Sequence, residues 1–147
     1  MKSNTTKYTY VEWLSAEEMH ATSKLWLSEL SFIIDEQLFL NDLVKSYSLQ
    51  LAEPEIFDQS KKIISQIQKT EKEVGILIKK VKAHENELEI MVDQVDELKM
   101  EKAYIETHKE LLNAMNTYTK EYRKAKKKLF IFISTIMKKE KQNRLLR

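Results

Sequence analysis

The sequence predicts an all-α protein, and three observations support this fold class. The 147 residues include one Gly and one Pro, too few for the many turns of a β-sandwich or barrel. Long stretches are rich in Glu, Lys, Leu, Ile and Met, which favour helix. Apolar residues recur at alternating steps of three and four, as in helices that pack as coiled coils. We therefore expect an antiparallel, up-down-up three-helix bundle with long, coiled-coil-like helices.

The first helix is predicted over residues 16–51, after an N-terminal arm (residues 1–10) without apolar period, which we expect to be flexible. Ser15 and Glu18 have the spacing of a capping box, in which the hydroxyl accepts a hydrogen bond from the later backbone N–H. One apolar seam should face the core, and a second apolar row beside it predicts contact with another neighbour. The seam comprises Met19, Trp26, Leu30, Ile33, Leu40, Val44 and Tyr47, and the row comprises Leu25, Phe32, Phe39 and Leu43.

The second helix is predicted over residues 55–95, after a turn at Pro54, whose ring and missing N–H do not continue a helix. Two core lines alternate through it at heptad spacing. Gly75 lies outside both lines, and we expect it to be tolerated or to mark a close approach. One line comprises Ile56, Ile63, Thr70, Leu77, His84, Met91 and Leu98, and the other Ser60, Ile67, Val74, Val81, Leu88 and Val95.

The third helix is predicted over residues 99–143, after a turn near Asp96. The evidence for this turn is a shift in the apolar period, which overwinds a continuous coiled coil or marks a corner. Residues 11–147 would then form one bundle. The alternative keeps the second and third helices as one continuous rod in a dimeric coiled coil. Core positions after the shift are Ile105, His108, Leu112, Met115, Tyr122, Leu129, Ile133 and Ile136.

Composition excludes several kinds of site. The sequence contains no Cys, which rules out disulfides, zinc fingers and thiolate nucleophiles and fits a reducing cytoplasm. No stretch approaches the roughly 20 apolar residues that span a bilayer. We find no phosphate loop, no dinucleotide fingerprint and no nucleophile paired with a base. The chain is therefore expected to be cytoplasmic. These absences favour a binding role but leave enzymatic activity open.

The three histidines lie at matching distances from the two predicted turns. His20 and His84 are each 32 residues from Ala52, and His84 and His108 are each 12 residues from Asp96. In an up-down-up bundle these spacings place the three imidazoles at one level. The sequence therefore predicts that they lie close together.

Such an arrangement suggests a metal site. Three imidazoles with a carboxylate or water suit Zn(II), Fe(II) or Mn(II), and Glu17, Glu87 and Glu101 are the nearby carboxylates. The Glu17/His20 spacing, Glu-x-x-His on one helix face, resembles the ferritin-like di-iron bundles, which implies metal binding between helices. Those families use two such motifs and two further Glu residues from four helices, whereas this chain has one motif. The alternative is that the histidines are structural core residues, hydrogen-bonded within the bundle.

Glu36 is a second candidate for chemistry. It lies between Phe32 and Phe39 on the second apolar row, where burial could raise its pKa and allow general acid or base catalysis. The alternative is an ion pair with Lys124, which an up-down-up bundle places at the same level.

The segment Leu129–Met137 is apolar on nearly every side, and basic stretches flank it. Residues 120–147 carry eleven Lys or Arg and two Glu, a net charge of +9, whereas the other 119 residues carry 14 basic and 21 acidic side chains. The segment suits self-association or a protein partner, ordinary core packing, or an anionic membrane surface. Nucleic acid is disfavoured because no recognition motif is present. We therefore expect a small intracellular bundle that acts by protein–protein interaction or self-association, with a metal-binding bundle as the alternative.

Overall fold

The computed structural model describes residues 15–93 and 98–146, with side chains for residues 15–92 and 102–146. The predicted arm over residues 1–10, and Asp96, lie outside the described residues. Within those residues the chain is helical, without strands. Its four helices are α1 (Ala16–Ser46), α2 (Ser48–Leu51), α3 (Phe57–Asp93) and α4 (Leu98–Leu145).

The helix ends follow local sequence signals. The backbone N–H of Glu18 donates to Ser15 Oγ at 3.1 Å, which confirms the predicted cap. Between α1 and α2, the N–H of Tyr47 donates to the carbonyls of both Leu43 and Val44. Pro54 falls between α2 and α3, as predicted from its inability to continue a helix.

The described helices form two compact units, each of which contains a segment of α1, of α3 and of α4, and the second unit also contains α2. The first unit takes α1 up to Ile33, α3 from Val74 and α4 up to Thr117, and the second unit takes the remaining parts of the helices. In each unit, side-chain contacts join the segments of α1, α3 and α4. They are His20–Glu85, Trp26–His108 and His84–His108 in the first unit, and Gln37–Thr70, Gln37–Tyr118 and Thr70–Tyr118 in the second.

Helices α3 and α4 run antiparallel. His84 Nε2 and His108 Nδ1 lie 3.0 Å apart, whereas one continuous helix at 1.5 Å per residue would separate these residues by roughly 36 Å. The up-down-up bundle is therefore confirmed. The alternative with one continuous rod is wrong for this chain.

The stretch from α1 into α2 runs in the same direction as α4. In the second unit Glu36 on α1 pairs with Lys126, and Gln50 on α2 donates to Glu140. From Glu36 to Gln50 the contacted residue on α4 also moves towards the C-terminal end, which requires parallel directions. Helix α3 is therefore antiparallel to both of its neighbours.

Most buried side chains lie on the predicted core lines. The exceptions include the buried residues Leu51, Leu111, Tyr118, Ala125 and Phe132, which were not on these lines, and the predicted Ile105 and Leu112, which are half-buried. Trp26, Leu30, Val81 and Leu88 are among the buried side chains of the first unit. The core of the second unit consists of Leu40, Leu51, Ile63, Ile67, Tyr118, Tyr122, Ala125, Leu129, Phe132, Ile133 and Ile136. None of the helices in the described part of the chain is both long enough and apolar enough to cross a membrane.

The second apolar row of α1 does not pack as predicted. Leu25, Phe32 and Phe39 are 64, 67 and 57% exposed, so the expectation that this row covers another neighbour is wrong. In a three-helix bundle each helix has two neighbours, and the single seam through Leu30 and Leu40 already faces both. The row is left on the surface.

Gly75 marks no close approach. A Cβ placed on it would meet nothing within 4 Å. The packing around α3 therefore does not require a glycine at this position.

Candidate functional site

Two imidazoles are paired in the core of the first unit. His84 on α3 and His108 on α4 are each 1% exposed, which confirms that both face inward. One of the two nitrogens, His84 Nε2 or His108 Nδ1, carries the proton and donates to the other across 3.0 Å. The pair thus satisfies one nitrogen of each ring. His84 Nδ1 is buried without a hydrogen-bond partner among the described residues.

An indole closes one side of this pair. The ring of Trp26 stacks on His108 with centroids 4.6 Å apart and planes 22° from parallel. The two imidazole rings are tilted by 37° with centroids 5.2 Å apart. Because Trp26 and both histidines are buried, the pair lies in an apolar, aromatic setting.

That setting holds both imidazoles neutral. Burial lowers the pKa of His84 from 6.5 to about 4. Burial and, to a smaller extent, the charge of His84 lower the pKa of His108 to about 4 as well. A charged imidazole would have to leave water without gaining an opposite charge. Both imidazoles are therefore neutral near pH 7.

The third histidine makes a different contact. His20 Nε2 on α1 lies 2.8 Å from Glu85 Oε1 on α3, and both side chains are mostly buried. Glu89 lies one turn beyond Glu85 on the same face of α3. One donor atom from each of His20, Glu85 and Glu89 lies within 4.8 Å of the other two. These three residues form the only group of three such ligands in the described part of the chain.

The predicted metal ligands are therefore distributed over several places. His84 and His108 come together in the core, and His20 pairs with Glu85. Glu17 and Glu87 are exposed, and the side chain of Glu101 lies outside the described residues. The three-histidine set stays a prediction.

Sequence reasoning missed Glu85 and Glu89. The available signal was their spacing of four residues, which puts two carboxylates on one helix face.

The second unit has a buried polar contact of its own. The amide of Gln37 on α1 donates to Thr70 Oγ1 on α3 and to the Tyr118 hydroxyl on α4, both at 3.3 Å. The Tyr118 hydroxyl donates in turn to the backbone carbonyl of Thr70 at 2.9 Å. Burial is the main cause that raises the pKa of Tyr118, so this hydroxyl keeps its proton. The three side chains join the segments of α1, α3 and α4 in this unit.

Glu36 forms an ion pair and not a neutral acid. Its Oε1 accepts from the Tyr122 hydroxyl at 2.5 Å and from Lys126 Nζ at 2.8 Å. Burial acts to raise the pKa of Glu36, but the hydrogen bonds from Lys126 and Tyr122 and the charge of Lys126 act against it, and the net pKa is lowered. The expectation of a raised pKa is wrong. The partner is Lys126, whereas Lys124, the predicted one, is exposed.

The apolar segment Leu129–Met137 divides between core and surface. Leu129, Phe132, Ile133 and Ile136 are buried, whereas Phe130, Ile131 and Met137 are 39, 58 and 50% exposed. We call these three exposed residues the α4 face. Phe130 follows Lys126 by one helical turn, and exposed Phe39 on α1 follows Glu36 by about one turn. Glu36 and Lys126 are paired on parallel helices. Both phenylalanines therefore lie about one helical turn past this ion pair, on its C-terminal side.

Comparisons of the chain with protein family models, with curated proteins and with solved structures gave no match.

Proposed function

We propose that this protein acts by binding another protein chain through exposed apolar side chains, with a second copy of itself as the first partner. The observation that carries the proposal is the exposure of two apolar sets. One is the α4 face, and the other is the α1 row, which we define as Leu25, Phe32 and Phe39. Burying one such side chain contributes about 1.5–3 kcal/mol. Contiguous exposed apolar surface is typical of interaction sites.

Charge supports a second copy as the partner. Exposed Glu29 and Asp35 lie near the α1 row, whereas exposed Lys127, Lys128 and Lys138 flank the α4 face. Two α4 faces would repel each other. The α1 row of one copy and the α4 face of another combine apolar contact with opposite charge, which gives specificity and faster association. A two-fold dimer would use this contact twice.

The test is the mass of the untagged protein in solution, measured by light scattering after size exclusion and by sedimentation equilibrium at several concentrations. We expect a dimer at micromolar concentrations that weakens as salt rises. Phe32→Glu and Ile131→Glu should each weaken dimerisation at least tenfold, about 1.4 kcal/mol.

Ser31→Glu is the matched control, because Ser31 is exposed on α1 next to Phe32 but does not belong to the α1 row. This variant should dimerise like the parent. A chain that stays monomeric at all concentrations, or a Ser31→Glu variant as impaired as Phe32→Glu, would contradict self-association.

A further inference from the structure

We propose that His20, Glu85 and Glu89 form a binding site for a divalent transition-metal ion of the Zn²⁺ type. The inference goes beyond the proposed self-association and does not depend on it. All three residues belong to the first unit, and their donor atoms lie within 4.8 Å of one another.

The spacing of the donors suits an ion of this size. Zn²⁺ binds imidazole nitrogen and carboxylate oxygen at about 2.0–2.2 Å, so two tetrahedral ligands lie about 3.3 Å apart. His20 Nε2 and Glu85 Oε1 are 2.8 Å apart, so an ion between them requires an outward shift of about half an ångström. The Glu89 donor lies within 4.8 Å of the other two, so it must approach them by up to about 1.5 Å to complete a tetrahedral set.

The donor types select the class of ion. One imidazole and two carboxylates suit Zn²⁺ and related first-row ions. Ca²⁺ and Mg²⁺ prefer oxygen ligands throughout and a higher coordination number. Three protein ligands leave one tetrahedral position for water.

The charges around the group also favour a cation. Glu85 and Glu89 stand one turn apart on α3, where like charges destabilise a helix. Within the part of the chain that the structure describes, neither carboxylate lies within ion-pair distance of a Lys or Arg, and the partner of Glu85 is His20. A divalent ion would neutralise both carboxylates.

The site lies between α1 and α3, where one ligand is open to solvent and two are mostly buried. Glu89 is exposed, whereas His20 and Glu85 are mostly buried. The buried pair of His84 and His108 is less suitable, because their facing nitrogens bond to each other and Trp26 covers one side.

Binding of the ion depends on the protonation of His20. His20 Nε2 binds an ion only without its proton. A neutral imidazole then carries its one proton on Nδ1, whereas an imidazolium loses its Nε2 proton to the solvent. Because protons compete with the ion for this nitrogen, metal binding should strengthen with pH.

The experiment is calorimetric titration of Zn²⁺ into the untagged, chelator-treated full chain, at two pH values. We expect one ion per chain, affinity that rises with pH, and an increase in thermal stability with Zn²⁺. Glu85→Gln, Glu89→Gln and His20→Gln should each weaken binding at least tenfold. Glu89 is exposed, so Glu89→Gln tests the site without disturbing the core.

Glu87→Gln is the control, because it makes the same charge change on the same helix but two residues from Glu85, on a different side. It should bind Zn²⁺ like the parent. Absence of binding by the parent, or equal affinity for the parent and Glu89→Gln, would overturn the proposal. Loss of binding in Glu87→Gln with retention in Glu89→Gln would also overturn it and would favour the predicted three-histidine set. Dimerisation is measured separately, so failure of either proposal is recognisable.

Discussion

The indole of Trp26 lies against the imidazole of His108 with ring centroids 4.6 Å apart, and this contact shields a hydrogen bond between two histidines. His108 turns one face to Trp26 while its Nδ1 meets His84 Nε2. A protonated imidazole has no opposite charge to pair with in this setting, which explains why both pKa values fall to about 4.

Stability should therefore fall with acidity between pH 6.5 and about 4. The pKa of each histidine is lower in the folded state, so below pH 6.5 the unfolded state binds more protons. As pH falls through this window, the protonation of the pair lowers the free energy of unfolding by on the order of a few kcal/mol in total. Urea unfolding at pH 7 and at pH 4.5 measures the loss. The double variant His84→Leu/His108→Leu should show a flatter pH profile, and an unchanged profile would contradict the assignment.

The buried contact in the second unit should be worth more than its single hydrogen bonds suggest. Tyr118→Phe removes the donor to the Thr70 carbonyl and an acceptor for Gln37, which leaves buried polar groups without partners. We expect a loss of about 1–3 kcal/mol in the free energy of unfolding. Tyr104→Phe, at a partly buried position of α4, should cost less. Equal losses in chemical denaturation would argue against the contact.

Glu36 should stabilise the second unit through its charge. Its pKa is lowered in the folded state, so the contribution is present above pH 4.5 and is lost as pH falls through the lower folded value. Glu36→Gln should cost about 1 kcal/mol at pH 7. Asp42→Asn removes the same charge at an exposed position of α1 and should be nearly neutral. The comparison is made by thermal unfolding at pH 7 and below pH 4.

Gly75→Ala should stabilise the protein. Gly75 lies inside α3, and a Cβ there meets nothing within 4 Å, so the substitution restores helix propensity without a clash. We expect a gain of about 1 kcal/mol in the free energy of unfolding. Ala83→Gly, at an exposed position of the same helix, should lose a similar amount. A destabilised Gly75→Ala would indicate that the glycine has a role beyond the packing described.

The periodic part of the structure was predictable from the sequence. Heptad lines placed His84 and His108 in the core, and both are buried. The alternating pattern is a direct consequence of helix geometry, so the inward face of each helix can be found without knowledge of its neighbours.

The flanks of the helices were not predictable in the same way. The same core lines fit a left-handed and a right-handed arrangement of three helices. The handedness decides which side of α3 faces α1. It therefore decides whether Glu85 or Glu87 approaches His20. The sequence identified His20 as a ligand candidate, but its partner Glu85 depends on this choice. The exposure of Phe32 depends on how many helices pack against α1. The apolar pattern of α1 does not specify that number.

The polar contacts in the two cores also fix the axial register of the helices, that is, which residues lie at the same level. Thr70 and His84 belong to one heptad line of α3, whose intervening member is Leu77. If α3 slid by seven residues along its neighbours, its core lines would still face inward. However, Ile63 or Leu77 would then replace Thr70 opposite Gln37. Leu77 or Met91 would replace His84 opposite His108. Each mismatch buries polar atoms without a partner, at a cost of about 1–3 kcal/mol per group. Each unit thus carries its own penalty against misaligned folding, which long heptad helices otherwise tolerate.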